Sequence, residues 1–129
     1  MIAAWQRTTH RLLAALDAAL ADLRLTAGEI NALAALAGGP LTARALADAT
    51  AQRPSTLTGV LDRLERRALI VRAPNPADRR STLIEPTGAG RAAARRVGEA
   101  FAELESRVAD RIDLAAVGAT LTAVDAALS

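Results

Sequence analysis

The side chains best equipped for chemistry in this 129-residue chain are arginines and hydroxyls, and they lie close together. Arg53, Ser55, Thr56, Thr58, Gly59, Arg63 and Arg66 fall in one short stretch, and Arg79 and Arg80 follow soon after. A guanidinium is always charged, and its fork of donors matches phosphate oxygens. Small hydroxylic residues and a glycine can approach base edges closely in a major groove about 12 Å wide. The chemistry these residues suit is recognition of a polyanion, with base contacts from the small residues and phosphate contacts from the arginines.

Bond-making chemistry has little support. Ser55, Thr56 and Thr58 have no His or Lys near them in sequence to act as a base, so a nucleophilic enzyme is not expected. The chain has no Cys and one histidine, His10. Thiolate metal sites and disulfides are therefore excluded, and a zinc site would have to be built mostly from carboxylates. No cofactor or metal is expected.

Charge is unevenly spread. All 16 basic residues are Arg, set against 14 acids, for a formal net charge of +2. Residues 44–96 hold eleven Arg and five acids (Asp48, Asp62, Glu65, Asp78, Glu85), a local net of +6, and the remainder has a net of −4. A basic middle between acidic ends implies a local polyanion surface on a scaffold with another task. The longest stretch without charge, residues 30–43, is too short and too interrupted to span a bilayer. The N-terminus lacks a basic-then-apolar leader pattern. A cytoplasmic chain with no membrane partner is the expectation.

The elements that must position the arginines are mostly helices. Ala occurs 33 times and only Trp5 and Phe101 are aromatic, which favours closely packed helices over sheets. Apolar residues at three- and four-residue spacing predict a first helix over 2–23. Thr26-Ala27-Gly28-Glu29 is a capping box that opens a second helix through about Ala37, with Ile30, Leu33, Leu36 and Ala37 inward. Gly38-Gly39-Pro40 stops it. Thr42 caps a short helix over 43–49, and after a turn at Thr50-Ala51-Gln52 a fourth helix runs from Pro54 to Arg67.

The period then becomes alternating. Residues 69–73 and 81–85 read as two strands joined by the turn-rich segment 74–80, with a small third strand plausible near Leu41. From Thr87 the helical period returns. Val97, Phe101, Leu104, Val108 and Ile112 form one stripe, and Leu114, Val117, Leu121, Val124 and Leu128 form a heptad-like seam. A helix of about 25 residues spans about 38 Å, longer than so small a domain needs for its own core, so the stripes point to a second copy of the chain. The plainer alternative is that they cover one another within a monomer.

Leu46 on the short helix, with Leu57, Val60, Leu61 and Leu64 on the next, forms an inner face. The polar residues then lie on an outer face beside a basic hairpin. This is the layout of a winged helix-turn-helix. The fold expected is mainly α with a small β-hairpin wing. Residues 1–25 form an N-terminal dimerisation helix, 26–88 the winged DNA-binding domain, and 89–129 the C-terminal dimerisation helices.

Here the sequence resembles the MarR (multiple antibiotic resistance regulator) family of bacterial transcription factors. The resemblance rests on Leu46-Ala47, Ser55-Thr56-Leu57-Thr58, Leu61-Asp62-Arg63-Leu64-Glu65, Leu69-Ile70 and the wing Pro76-Ala77-Asp78-Arg79-Arg80 with Ile84-Glu85-Pro86-Thr87. It departs from the family pattern at Ala51 and Ala68, where the family has Gly, and at Arg53, Gly59 and Pro86. The resemblance implies a triangular homodimer that binds a short inverted repeat in double-stranded DNA as a repressor. It also implies release by a small, often aromatic, ligand bound between the winged and dimerisation parts. Within the wing it assigns Asp78 the orienting of an Arg by ion pairing, and gives a minor-groove contact to either Arg79 or Arg80. Trp5, His10 and Phe101 are the residues put forward for the ligand pocket. The plainer reading is core packing for the two aromatics and an ordinary polar helix position for His10. The alternative function is a winged helix used as a protein-interaction or assembly module.

Overall fold

The computed structural model describes residues 1–129. Helix α1 (Ile2–Ala19) leads through one 3₁₀ turn (Ala21–Leu23) into α2 (Ala27–Leu36). Strand β1 (Leu41–Thr42), α3 (Ala43–Thr50) and α4 (Pro54–Arg66) follow. The hairpin is β2 (Ile70–Asn75) and β3 (Asp78–Pro86), and the chain closes with α5 (Gly88–Ala109) and α6 (Leu114–Leu128). No helix is long and apolar enough to cross a membrane.

The first helix is shorter than its apolar spacing predicts. It ends at Ala19, and Arg24 closes the 3₁₀ turn in the left-handed region (φ 49°). The tighter turn redirects the chain into the Thr26 cap while keeping Leu20 in the core. The capping box forms as expected: Thr26 Oγ1 accepts the Glu29 amide at 3.3 Å, and Glu29 Oε2 accepts the Thr26 amide at 2.9 Å. Ala37, expected to face inward, is exposed because α2 has ended one residue earlier and the chain is already turning toward Gly38 and Gly39. Thr42 and Thr87 cap α3 and α5 with their hydroxyls.

One continuous core runs through the middle of the molecule. It contains Ile30, Leu33 and Leu36 of α2, Leu46 of α3, and Leu57, Val60, Leu61 and Leu64 of α4, closed by Ile70, Ile84 and Val97. Leu16 and Leu20 are all that α1 buries in it. The inner face expected of the two central helices is thus present in full. Ala51, between them, and Ala68, after α4, adopt left-handed backbone (φ 51° and 56°), the conformation a Gly would take without strain.

The hairpin differs from its sequence reading. The strands order as β1-β3-β2, with Leu41 opposite Ile84 and Ala73 opposite Leu83. The small strand at Leu41 is therefore real. The strands themselves are longer than 69–73 and 81–85, and only Pro76 and Ala77 separate them. Pro74 was read as part of the turn. It joins β2 because β2 is the sheet's edge, where a missing N–H can face solvent. The irregularity this causes sits between Pro74 and Asn75. Asn75 holds the turn by accepting the Ala77 amide (3.0 Å) and donating to Ser81 Oγ (2.9 Å).

At the other end of the wing, α5 is pressed onto the start of β2. The Thr87 amide donates to the Leu69 carbonyl (3.0 Å), and a Cβ on Gly90 would lie 1.8 Å from that same oxygen. Only glycine permits this approach. Beyond Ala100 the core thins: Phe101 and Leu104 are half-buried, and Val108 and Ile112 are exposed. Helix α6 buries no residue.

Candidate nucleic-acid interface

The outer side of α4 divides into two halves of different character. In the first half, Pro54 occupies an opening position where a missing amide costs no hydrogen bond. Arg53 precedes it as the cap residue and makes no side-chain cap bond, so its guanidinium is available. Ser55 and Thr56 are exposed and without side-chain partners in the chain. Thr58 donates its hydroxyl to the Pro54 carbonyl (2.9 Å), which leaves its oxygen able to accept and its methyl able to touch a thymine methyl. Gly59 adds no side chain to this surface, so the backbone itself can come close to a ligand.

In the second half the polar groups are largely engaged by the protein. Arg63, expected to reach phosphates, instead binds Glu29 through Nε at 2.9 Å. Glu29 is 2% exposed, so this is a buried carboxylate held by a guanidinium at its edge. Arg67, given the same phosphate role, donates to the Leu23 and Arg24 carbonyls (2.5 and 3.1 Å) and lies 3.7 Å from Glu29. Asp62 is bound by Arg72 of β2 at 2.6 Å, with Glu65 3.8 Å from the same guanidinium. Among the arginines of this helix only Arg66 has no hydrogen bond or ion pair.

The wing carries Arg79 and Arg80, both exposed and unpaired. Successive strand residues face opposite sides. Arg80 lies on the side that carries Thr82 and Ile84, and Thr82 and Ile84 line a small cavity with Thr58 and Leu61 of α4. Arg79 lies on the other side. Asp78 does not ion-pair with an arginine as the resemblance implied. Its carboxylate accepts the Arg80 backbone amide at 3.0 Å, closing a local turn, and so orients the chain at Arg80 rather than a guanidinium.

The residues put forward for a ligand pocket are not brought together. Trp5 is 39% exposed, His10 is exposed, and Phe101 packs half-buried against the core. Trp5 and His10 are five residues apart on α1, about 140° around a helix of 3.6 residues per turn, and so cannot share a face. The main cavities lie elsewhere. One of about 440 Å³ lies between α3 and α4 beside Arg44, Gln52 and Leu57. Another of about 360 Å³ lies between α1 and α5 beside Arg11, Leu12, Leu104 and Arg107.

Sequence reasoning missed Glu29 as the anchor of Arg63, and Arg72 as the partner of Asp62. The capping box marked Glu29 as structurally important, but no spacing rule links it to a residue 34 positions away.

Comparison with known proteins agrees with this geometry. Residues 22–81 match the model of the MarR family. The HTH-type transcriptional repressor NicR of Pseudomonas putida is 38% identical over 72 residues, covering 55% of this chain and 46% of NicR. The alignment thus spans a little under half the length of that relative. The structure of Bordetella bronchiseptica BpsR, whose DNA binding is regulated by 6-hydroxynicotinic acid, superposes with a TM-score of 0.80 at 25% identity, over 100% of this chain and 93% of BpsR. The transcriptional repressor CouR, solved bound to a 23-mer DNA duplex, superposes with a TM-score of 0.78 at 26% identity, over 98% and 90% of the two chains.

Proposed function

We propose, from the premise that the winged helix at residues 22–81 is of the MarR family, that this chain is a DNA-binding transcriptional repressor. It binds an inverted repeat as a homodimer. The observation that carries the reading is the division of α4. The half that would enter a major groove is small, hydroxylic and unpartnered, and the other half is fastened to the protein. Unpaired arginines flank it at Arg53, Arg66, Arg79 and Arg80.

Residues 26–88 are the DNA-binding part. The recognition contacts come from Ser55, Thr56, Thr58 and Gly59, and the phosphate contacts from Arg53 and Arg66. Arg63 positions α4 through Glu29, and its outer face, 43% exposed, remains within reach of a phosphate. Strand alternation favours Arg80 over Arg79 for the minor groove, where narrow A·T tracts concentrate negative potential. Residues 1–25 and 89–129 join two copies through the exposed apolar residues of α1 and α6. An aromatic carboxylate is the effector class that BpsR's ligand suggests. Trp5, His10 and Phe101 could contribute to such a pocket only once the second copy closes it.

A mobility shift of the purified protein against the DNA upstream of its own gene tests this. Retardation at low salt that Arg80→Ala weakens is expected. A folded protein that retards nothing at low salt contradicts it, and points to a protein-interaction role for the winged helix.

A further inference from the structure

The joint between α1 and the winged part contains an unusual concentration of positive charge. Arg24, Arg63, Arg66 and Arg67 surround a recess of about 400 Å³, with Thr26 and Glu29 completing its wall. Four guanidiniums there face one carboxylate. That carboxylate is already occupied: Glu29 accepts from the Thr26 amide and from Arg63 Nε, both at 2.9 Å, and has Arg67 at 3.7 Å. Arg67 is further held by the carbonyls of Leu23 and Arg24. Arg24 and Arg66 are left with no acceptor in the chain. A recess with a net of three positive charges raises the local concentration of anions. Guanidinium forks bind carboxylate and phosphate oxygens in pairs, more strongly than neutral donors do.

We propose that this recess is an oxyanion site, in which a carboxylate or phosphate group is held between Arg24 and Arg66. The position gives the site a consequence. Arg24 belongs to the left-handed turn that connects α1 to α2, and Arg66 to the last turn of α4. An anion between them ties the arm of the molecule to the end of the helix carrying Ser55 and Thr56. Arg67 already makes such a tie through two backbone carbonyls, and the anion would add a second that depends on its own concentration. The site itself stands on the geometry alone, whereas its influence on DNA binding rests on the function proposed above.

Two sources could supply the oxyanion: a small free carboxylate or phosphate, or a backbone phosphate of bound duplex. Calorimetric titration of the DNA-free protein with citrate and with inorganic pyrophosphate, in low-salt buffer, addresses the first. Saturable binding is expected, weakened about tenfold or more by Arg24→Gln and by Arg66→Gln with the circular dichroism unchanged. The salt dependence of duplex binding by Arg24→Gln addresses the second, where loss of one phosphate contact lowers the slope of log K against log salt by about 0.9 per chain. Anion binding that the substitutions weaken, with an unchanged slope, assigns the site to a small molecule. A lowered slope without anion binding assigns it to DNA. The proposal is overturned if neither anion binds saturably and the slope is unchanged, or if binding ignores both substitutions. Should the protein bind no DNA at all, the calorimetric result still decides the site.

Discussion

Helices α4 and α6 have nearly the same apolar signature and opposite fates. In α4, Leu57, Val60, Leu61 and Leu64 are all buried by other parts of the same chain. In α6, Leu114, Val117, Leu121, Val124 and Leu128 recur at spacings as regular, yet none is buried, and Leu121 is 58% exposed. Apolar periodicity states that a face will be covered, not by what. In α4 the cover is α2, α3 and the sheet. For α6 and the first turns of α1 the chain offers none, which is the reason for assigning them to a second copy. The polar residues obey the same distinction. Those at the end of α4 are satisfied inside the chain, and those at its start wait for a ligand.

Three experiments break or sharpen this contrast. The largest effect belongs to Gly90, where the self-sufficient part is most tightly closed. Gly90→Ala forces a methyl against the Leu69 carbonyl, and overpacking of this severity costs about 3 kcal/mol or more. Urea denaturation should show the midpoint lowered sharply or the cooperative transition lost. Next is Leu121→Glu. If a second copy covers α6, sedimentation should show dimers becoming monomers at micromolar concentration, while the winged part keeps its helical circular dichroism. An unchanged mass would mean that α6 is not at the interface.

The smallest effect concerns the Asp22–Arg96 pair (2.9 Å), which joins the 3₁₀ turn to α5. The side-chain hydrogen bond from Arg96 holds the Asp22 carboxyl below its usual 3.8. A carboxylate with a lowered folded-state pKa contributes stability that is in place above its unfolded value and lost as pH falls through the folded one. Asp22→Asn should therefore be slightly less stable than the parent at neutral pH. Thermal melts of the two proteins should converge only as the pH falls below 3.8.

Much of this architecture could be read from local pattern. The Thr26 and Thr42 caps, the Gly38-Gly39-Pro40 stop and the inner face of α4 are each set by residues within a few positions of one another. What escaped is what depends on distant neighbours. Arg63 and Arg67 looked like free phosphate contacts because nothing local claims them, yet Glu29 and the Leu23 carbonyl do so across 34 and 44 positions. The hairpin looked loose because Pro74 and Pro76 break strands in isolation, but an edge position tolerates Pro74. The basic middle sharpens accordingly. Of the eleven arginines in 44–96, Arg63, Arg67, Arg72, Arg91 and Arg96 bond within the chain. The charge available to a partner is concentrated at Arg44, Arg53, Arg66, Arg79, Arg80 and Arg95.

The central claim is that these unpaired arginines and the open half of α4 bind duplex DNA in a two-chain complex. The most direct measurement is fluorescence anisotropy of a duplex selected from a randomised library, titrated with protein over a series of salt concentrations. Binding with two chains per duplex is predicted, with affinity falling steeply as salt rises and Arg80→Ala lowering the slope by about 0.9 for each wing that loses a phosphate contact. Failure to select any duplex, or binding with a flat salt dependence that Arg80→Ala leaves unchanged, would contradict the account.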